Sequence, residues 1–275
     1  MLLKSGFDVT VLSRSPNAHP DARVNVQQVD YSSVESLTNA LVGQDAVVNT
    51  LGIGTVPRET HLRLVEAAHA TGVKRFIPSE FGGDTAHPLT AKLPVYADKV
   101  DVLQRLYELS QKSSQFSYTA VANGAFLDWG IKHNFLVNFA GPTTPIYDHG
   151  DVKFSATTLS TVGKAVAGVL QHLEETKNRY VYVAEAEVTQ NQLVLLSNRG
   201  DQIQRVQVNT EDLEAQAYDA IKQTPPDFYT FAVNLLWRAT YGGKFGALFQ
   251  KTDNDLVGIK KLSELELSRV VAHSL

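Results

Sequence analysis

The sequence predicts an α/β fold built on a parallel sheet with helices on both faces, and three observations lead there. Over the first ~125 residues, strand-like and helix-like runs alternate at intervals of roughly 20–30 residues. The strand-like runs are nearly continuous apolar stretches, as strands covered on both faces require. The chain has 275 residues, 43% of them hydrophobic, which is enough to bury a sizeable core without cross-links. Alternation of this kind yields right-handed βαβ units and a doubly wound sheet.

Taken in order, residues 7–12 (FDVTVL) alternate and are β-branched, so they read as a strand, ended by Ser13-Arg14-Ser15-Pro16. Residues 24–29 form a second strand, closed by Asp30. Residues 33–41 have helical spacing, with Val34, Leu37 and Leu41 on one face. Residues 45–51 (DAVVNTL) are a buried-type strand stopped by Gly52. Residues 59–70 are helical, and Thr71-Gly72 closes that helix. Residues 73–78 are the next strand, residues 96–110 an amphipathic helix and residues 116–122 another strand.

The second half is less regular. Residues 145–157 look like a hairpin turning at His149-Gly150-Asp151. Helices are expected over 159–173, 190–197, 211–223, 228–241 and 262–272, and the Pro225-Pro226 pair separates two of them. The run Tyr180-Val181-Tyr182-Val183 is a strand and a candidate to rejoin the main sheet. The expected organisation is a nucleotide-binding domain over 1–125 and a smaller, interwoven α+β substrate domain over 126–275.

Bulk properties exclude several functions. A net charge of −4 gives no electrostatic reason to expect nucleic acid as a partner. With no cysteine the chain has no disulfide, no thiol nucleophile and no thiolate-bound zinc. The histidines are scattered without ligand spacing, so no metal site is expected. No apolar run approaches the roughly 18 residues of a spanning helix, and the first residues do not form a signal peptide. These features fit a cytoplasmic protein that acts on a small molecule, and they leave homo-oligomers open.

In a doubly wound, Rossmann-like sheet, ligands bind beyond the carboxyl ends of the strands. After the first strand stand Ser13 and Arg14. An acid there would suit the ribose hydroxyls of NAD, whereas Arg14 offers a planar cationic fork for the 2′-phosphate of NADP. A solvated arginine at a strand end is the alternative. After the strand ending at Leu51, Gly52-Ile53-Gly54 would let the backbone pass close to a cofactor. Pro57 stands where a third glycine would be, so this is no phosphate loop. Next comes the most specific run in the chain, Arg75-Phe76-Ile77-Pro78-Ser79-Glu80-Phe81-Gly82. Pro78 ends the strand where a nicotinamide would lie, and Ser79 and Phe81 follow on the same loop. Tyr96 and Lys99 then share a helical face at i and i+3. A lysine held over the nicotinamide ribose can bond the cofactor and move a proton to or from substrate.

Residues 75–82 resemble the R-F-[IL]-P-S-E-F-G run of isoflavone reductases, phenylcoumaran benzylic ether reductases and pinoresinol–lariciresinol reductases. These belong to the wider NmrA-like group of atypical short-chain dehydrogenases. Residues 24–52, with Gly43-Gln44-Asp45, resemble that family's strand–Asp–helix–Gly-x-Asp–strand segment. Lys99 aligns with its catalytic lysine. Residues 119–126 (TAVANGAF) resemble the strand that ends at its substrate pocket, which makes Asn123 and Phe126 substrate-side candidates. His133 and Asp128, which follow that strand, are weaker ones. The resemblance implies NADPH-dependent hydride transfer to a small, often aromatic, substrate. Its rival is a non-catalytic, NADP-sensing regulator of the NmrA kind, which typically lacks the lysine.

Two departures stand out. The family begins with a strand and a G-x-x-G-x-x-G loop that cradles the pyrophosphate, and this sequence shows neither. It reads as a form truncated at its N-terminus, in which cofactor binding and activity are both open. The strand at 7–12 and the strand at 46–51 would then either flank a slot or close up and pair with each other. The spacing Tyr96-x-x-Lys99 also differs from the Tyr-x-x-x-Lys of short-chain dehydrogenases, so core packing is the expected role of Tyr96.

Overall fold

The computed structural model describes residues 1–16, 19–52 and 54–275. In chain order the elements are β1 (Val9–Ser13), β2 (Val24–Gln28), α1 (Val34–Leu41), β3 (Ala46–Val48), α2 (Arg58–Ala70), β4 (Arg75–Ile77), α3 (Pro88–Ala91), α4 (Ala97–Lys112), β5 (Ser117–Ala122), β6 (Ala125–Phe126) and α5 (Leu127–Lys132). They continue as β7 (Thr143–Tyr147), β8 (Phe154–Thr157), α6 (Leu159–Gln171), β9 (Arg179–Tyr182), β10 (Ala186–Val188), α7 (Gln190–Leu196), β11 (Gln204–Val208), α8 (Thr210–Ala220), α9 (Phe228–Tyr241) and α10 (Glu264–His273). The expected α/β class is observed.

The chain divides into two compact units. The first comprises Met1–Glu80, Asp98–Val121 and Gly163–Val181, and the second comprises Phe81–Ala97, Ala122–Val162 and Tyr182–Leu275. Each unit is built from three segments that interleave along the chain. Their origin is topological. Each stretch of the second unit departs where a strand of the first ends: after β4, within the last residues of β5, and within β9. Carboxyl ends of parallel strands are where such folds place the loops that carry function.

In the first unit, β1 and β2 pair in parallel, Val9 opposite Val24. A separate sheet runs β3-β4-β5-β9, with parallel pairing of β3 to β4 and of β4 to β5. The strand near residue 180 thus joins the main sheet. Among the described residues β1 and β3 do not pair with each other, so the direct closure considered above does not occur. Strand β3 is half the length its apolar run suggests. The Asn49 backbone amide still donates to the Ile77 carbonyl at 2.8 Å. The Asn49 side chain then folds onto the amide of Leu51 at 3.0 Å, and the chain leaves the ladder. The core of this unit joins Leu37 and Leu41 of α1, Leu64, Val65 and Ala68 of α2, Phe76 of β4 and Val102, Leu106 and Leu109 of α4. Helix α1 starts at an N-cap, Ser33, whose hydroxyl accepts from the Ser36 amide.

In the second unit, the expected hairpin over 145–157 does not form. Strand β7 pairs in parallel with β11, and β8 lies between β10 and β6. The reason lies in the connection. Asp148, His149 and Gly150 all have positive φ, and the Asp148 carboxylate accepts from the Thr210 amide at 2.9 Å and its hydroxyl at 2.5 Å. The turn is anchored to the start of α8 rather than folded back on itself. Strand β11 (QRVQV) is mostly exposed, and its two valines make too short an apolar pattern to announce a strand. Tyr96 also differs from expectation in its element, though not in its role. It closes a 3-10 turn begun by Pro94, one residue before α4, and its ring is buried with Leu93, Leu235 and Phe245. It precedes the helix that carries Lys99, and its ring packs in a core cluster, as expected.

No helix among the described residues is long and apolar enough to cross a membrane.

Candidate active site

The candidate residues fall in both units: Ser13, Arg14, Gly52, Pro78, Ser79 and Lys99 in the first, and Phe81, Asn123, Phe126 and His133 in the second.

In the first unit, the ends of β1 and β2 open onto a cavity of about 660 Å³ lined by Arg14, Gln28, Val29, Asp30, Tyr31 and Ser32. The local sequence builds it by side chain-to-backbone bonds. Gln28 donates to the Arg14 carbonyl at 3.1 Å, and the Tyr31 hydroxyl to that of Leu12 at 3.1 Å. The Ser13 hydroxyl accepts from the Ser15 amide, fixing the turn after β1. Asp30 accepts from the amide and hydroxyl of Ser32, and these bonds hold its carboxyl below the usual range. The Arg14 side chain is exposed and makes no ion pair among the described residues. An uncommitted guanidinium beside a cavity can bind an anion in two-pronged fashion. Sequence reasoning found Arg14 but missed Asp30, Tyr31 and Ser32. The signal was available, because these residues directly follow the second strand.

Gly52 stands at the turn after β3. A Cβ there would meet the Thr55 hydroxyl at 2.5 Å, while the Gly52 carbonyl accepts from the Val56 amide at 3.0 Å and the Thr55 hydroxyl at 3.1 Å. A side chain at this position would force the Thr55 hydroxyl to give up its place in the turn. Ile53, the middle residue of that run, lies outside the described residues.

Strand β4 ends at the buried Pro78, followed by half-buried Ser79, and the Glu80 amide donates to the Pro78 carbonyl at 2.8 Å. The Lys99 amine, one turn into α4, turns inward and donates to the Glu80 carbonyl. Burial pushes its pKa down, and the nearby Glu80 charge opposes that shift. Arg75, which begins the motif, serves the fold. Its Nε donates to Ser117 at 2.9 Å, and Nη1 donates to Thr119 at 2.7 Å and Thr176 at 2.8 Å. Nη2 donates to the Leu173 carbonyl. Burial pushes its pKa down to about 10, against the opposing charge of Glu174.

In the second unit, Phe81 is half-buried. The amides of Asn123 and Gly124 both donate to the Gly82 carbonyl, at 3.1 and 2.8 Å. Gly124 has φ of +64°, and a Cβ there would strike the Ser155 carbonyl at 2.1 Å, so the tight passage needs glycine. The buried Asn123 donates to the Gly124 carbonyl, but its Oδ1 has no partner among the described residues. Phe126 lies on β6 opposite Thr157. His133 is exposed at the end of α5, its ring 4.7 Å from that of Trp129.

Comparison with known proteins identifies the lineage. The model of the NmrA-like family matches residues 1–228. The chain belongs to the NmrA-like family. Within it, the chain is 34% identical over 197 residues to oxidoreductase poxI of Penicillium oxalicum, a match covering 70% of this chain and 62% of that protein. It is 28% identical over 200 residues to the bifunctional pinoresinol-lariciresinol reductase 1 of Linum usitatissimum, over 68% of this chain and 62% of the reductase. The match thus spans less than two thirds of these relatives' own length. Among solved structures, an isoflavone reductase superposes with a TM-score of 0.76 at 18% identity, over 100% of this chain and 93% of that one. A leucoanthocyanidin reductase from Vitis vinifera, solved as a ternary complex, gives 0.74 at 20% identity, over 99% and 92%. At these identities the structures establish the Rossmann-like fold.

Proposed function

We propose that this chain is an NADPH-dependent reductase that transfers hydride to a small, aromatic substrate, with the first unit binding the cofactor and the second the substrate. The observation that carries the reading is Lys99: an inward-turned amine of lowered pKa, fixed by the carbonyl of Glu80 at the end of the proline-serine-glutamate motif. Lowering the pKa of a lysine amine makes it a better proton donor and acceptor than an exposed one, as a general acid or base requires. Regulators of the NmrA kind that only sense NADP typically lack this lysine, which favours the enzyme. The cavity beyond β1 and β2 suits the adenosine end of NADP: Arg14 for the 2′-phosphate, the Asp30 carboxylate as an acceptor for the exocyclic amine, and the Tyr31 ring as a wall. Gly52, Pro78, Ser79 and Phe81 would line the rest of the dinucleotide, and Asn123, Phe126 and His133 the substrate. The cofactor supplies the hydride when bound. Lys99 holds or delivers the proton at the substrate oxygen, and the buried β4 platform keeps the amine in place. Relatives and neighbours support the substrate class: one solved neighbour is described with NADP+ and (+)pinoresinol.

The test is direct. NADPH and NADH are titrated into the 275-residue chain by calorimetry, and NADPH consumption is followed with pinoresinol and with isoflavones. NADPH should bind more tightly than NADH, and Arg14→Asp should lower NADPH affinity about 10–100-fold, the worth of a charged hydrogen-bonding group. Lys99→Ala should leave NADPH affinity close to the parent's and cut turnover by about 10²-fold or more. Equal binding of both cofactors, or full turnover by the lysine variant, overturns the reading.

A further inference from the structure

His61 is fully buried on α2, and the motif-based reading gives it no role. Its tautomer can be deduced. The Oδ1 atom of Asn49 accepts from the Leu51 amide at 3.0 Å, which fixes the orientation of the Asn49 carboxamide. Its Nδ2, a donor only, then lies 3.0 Å from Nδ1 of His61. That nitrogen must accept, so it carries no proton, and the neutral ring bears its hydrogen on Nε2. Nε2 is buried and has no hydrogen-bond partner among the described residues. Protonating Nδ1 would set two donors against each other, and burial and the Lys99 charge also disfavour the imidazolium. The Asp98 charge and the Val56 carbonyl act the opposite way but do not reverse the shift. The ring is therefore neutral, with one committed nitrogen and one buried N–H that no hydrogen bond of good geometry completes.

An idle buried N–H costs free energy of the order of 1–3 kcal/mol unless something completes it. Asn49 is the first residue beyond the carboxyl end of β3, where a doubly wound sheet receives a dinucleotide. The turn at Gly52 leaves from the same point and is tied back through Leu51 to the same asparagine. We propose that Asn49 and His61 form a cofactor-positioning pair in which the asparagine locks the imidazole and His61 presents Nε2–H to an oxygen of the bound dinucleotide, a ribose hydroxyl or a phosphate. This rests on the cofactor assignment above. It adds a donor from α2, an element that packs the core and makes surface ion pairs.

The experiment is 15N-imidazole NMR of the 275-residue chain at neutral pH, without and with saturating NADPH. His61 should show one neutral tautomer protonated on Nε2, and NADPH should shift the Nε2–H resonance and slow its exchange with solvent. His61→Gln, which keeps an amide donor, should retain NADPH affinity within about 3-fold. His61→Leu should lose roughly 10-fold, one hydrogen bond's worth. A ring protonated on Nδ1 overturns the proposal. So does NADPH binding that shifts the amides of Ser13 and Ser15 yet leaves His61 unchanged, a result that would spare the cofactor reading. If no resonance responds to NADPH, the cofactor reading fails and this inference with it. The tautomer is read from the unaltered protein, so a poorly folding variant does not obscure the answer.

Discussion

The two sheets of the first unit are built to different standards. In β4 and β5 every residue is buried, and Phe76 and Ile77 lose all contact with solvent. In β1 no residue is buried, and Val11 is 37% exposed. The buried sheet carries Pro78, Ser79 and, through the Glu80 carbonyl, the Lys99 amine. The open pair carries Ser13 and Arg14 on the cavity. A proton-transfer group needs a dry, fixed setting, because desolvation is what lowers its pKa. In the role proposed for it, Arg14 gains from staying accessible until an anion arrives. The unequal burial of the two sheets matches the different settings that the two proposed roles require.

The contrast can be broken by mutation. Phe76→Ala should cost about 3–5 kcal/mol in denaturant unfolding, the usual loss for a buried aromatic ring. Val11→Ala should change stability by no more than about 0.5 kcal/mol. Comparable costs at the two sites would mean that β1 is as integral to the core as β4.

Arg75→Met sharpens the comparison by asking what the motif's first residue contributes. The hydroxyls of Ser117, Thr119 and Thr176 keep carbonyl acceptors of their own, on Lys74, Thr176 and His172. The Leu173 carbonyl loses the Arg75 donor. A loss of about 1–3 kcal/mol is expected, with NADPH affinity unchanged in calorimetry. A large drop in affinity at normal stability would move Arg75 from scaffold to site.

The smallest effect is a pH slope. His61 has its pKa lowered below the ordinary histidine value of about 6.5, chiefly by burial. The native state then binds fewer protons than the unfolded chain, so stability falls as pH drops below about 6.5, by at most about 1.4 kcal/mol per unit for one proton. Unfolding curves of the parent and His61→Gln between neutral and mildly acidic pH should diverge in that direction. Parallel curves would mean that His61 titrates alike in both states.

Much of the architecture was legible because hydrophobic periodicity and helix signals are local. Helix α9 falls on the expected residues 228–241, and α1 starts at the Ser33 cap. The motif at 75–82 located the end of β4 and led to Lys99. Pairing was not legible. The hairpin at 145–157 failed because Asp148 found its partners at Thr210, 62 residues away in sequence. Strand β11 was missed because it is mostly exposed and only Val206 and Val208 of its five residues are apolar.

By itself the sequence determined the α/β class, the family motif and the residue types at the strand ends, since these depend on side-chain chemistry and short-range spacing. Only the tertiary structure decided which of those residues have work left to do. Arg14 and Arg75 are the same amino acid close to strand ends, yet Arg75 is surrounded by acceptors and Arg14 lies open at a cavity. Asn49 and His61 gave no signal in the chain, because a tautomer is fixed by a contact between β3 and α2, and contacts across 12 positions are made by packing.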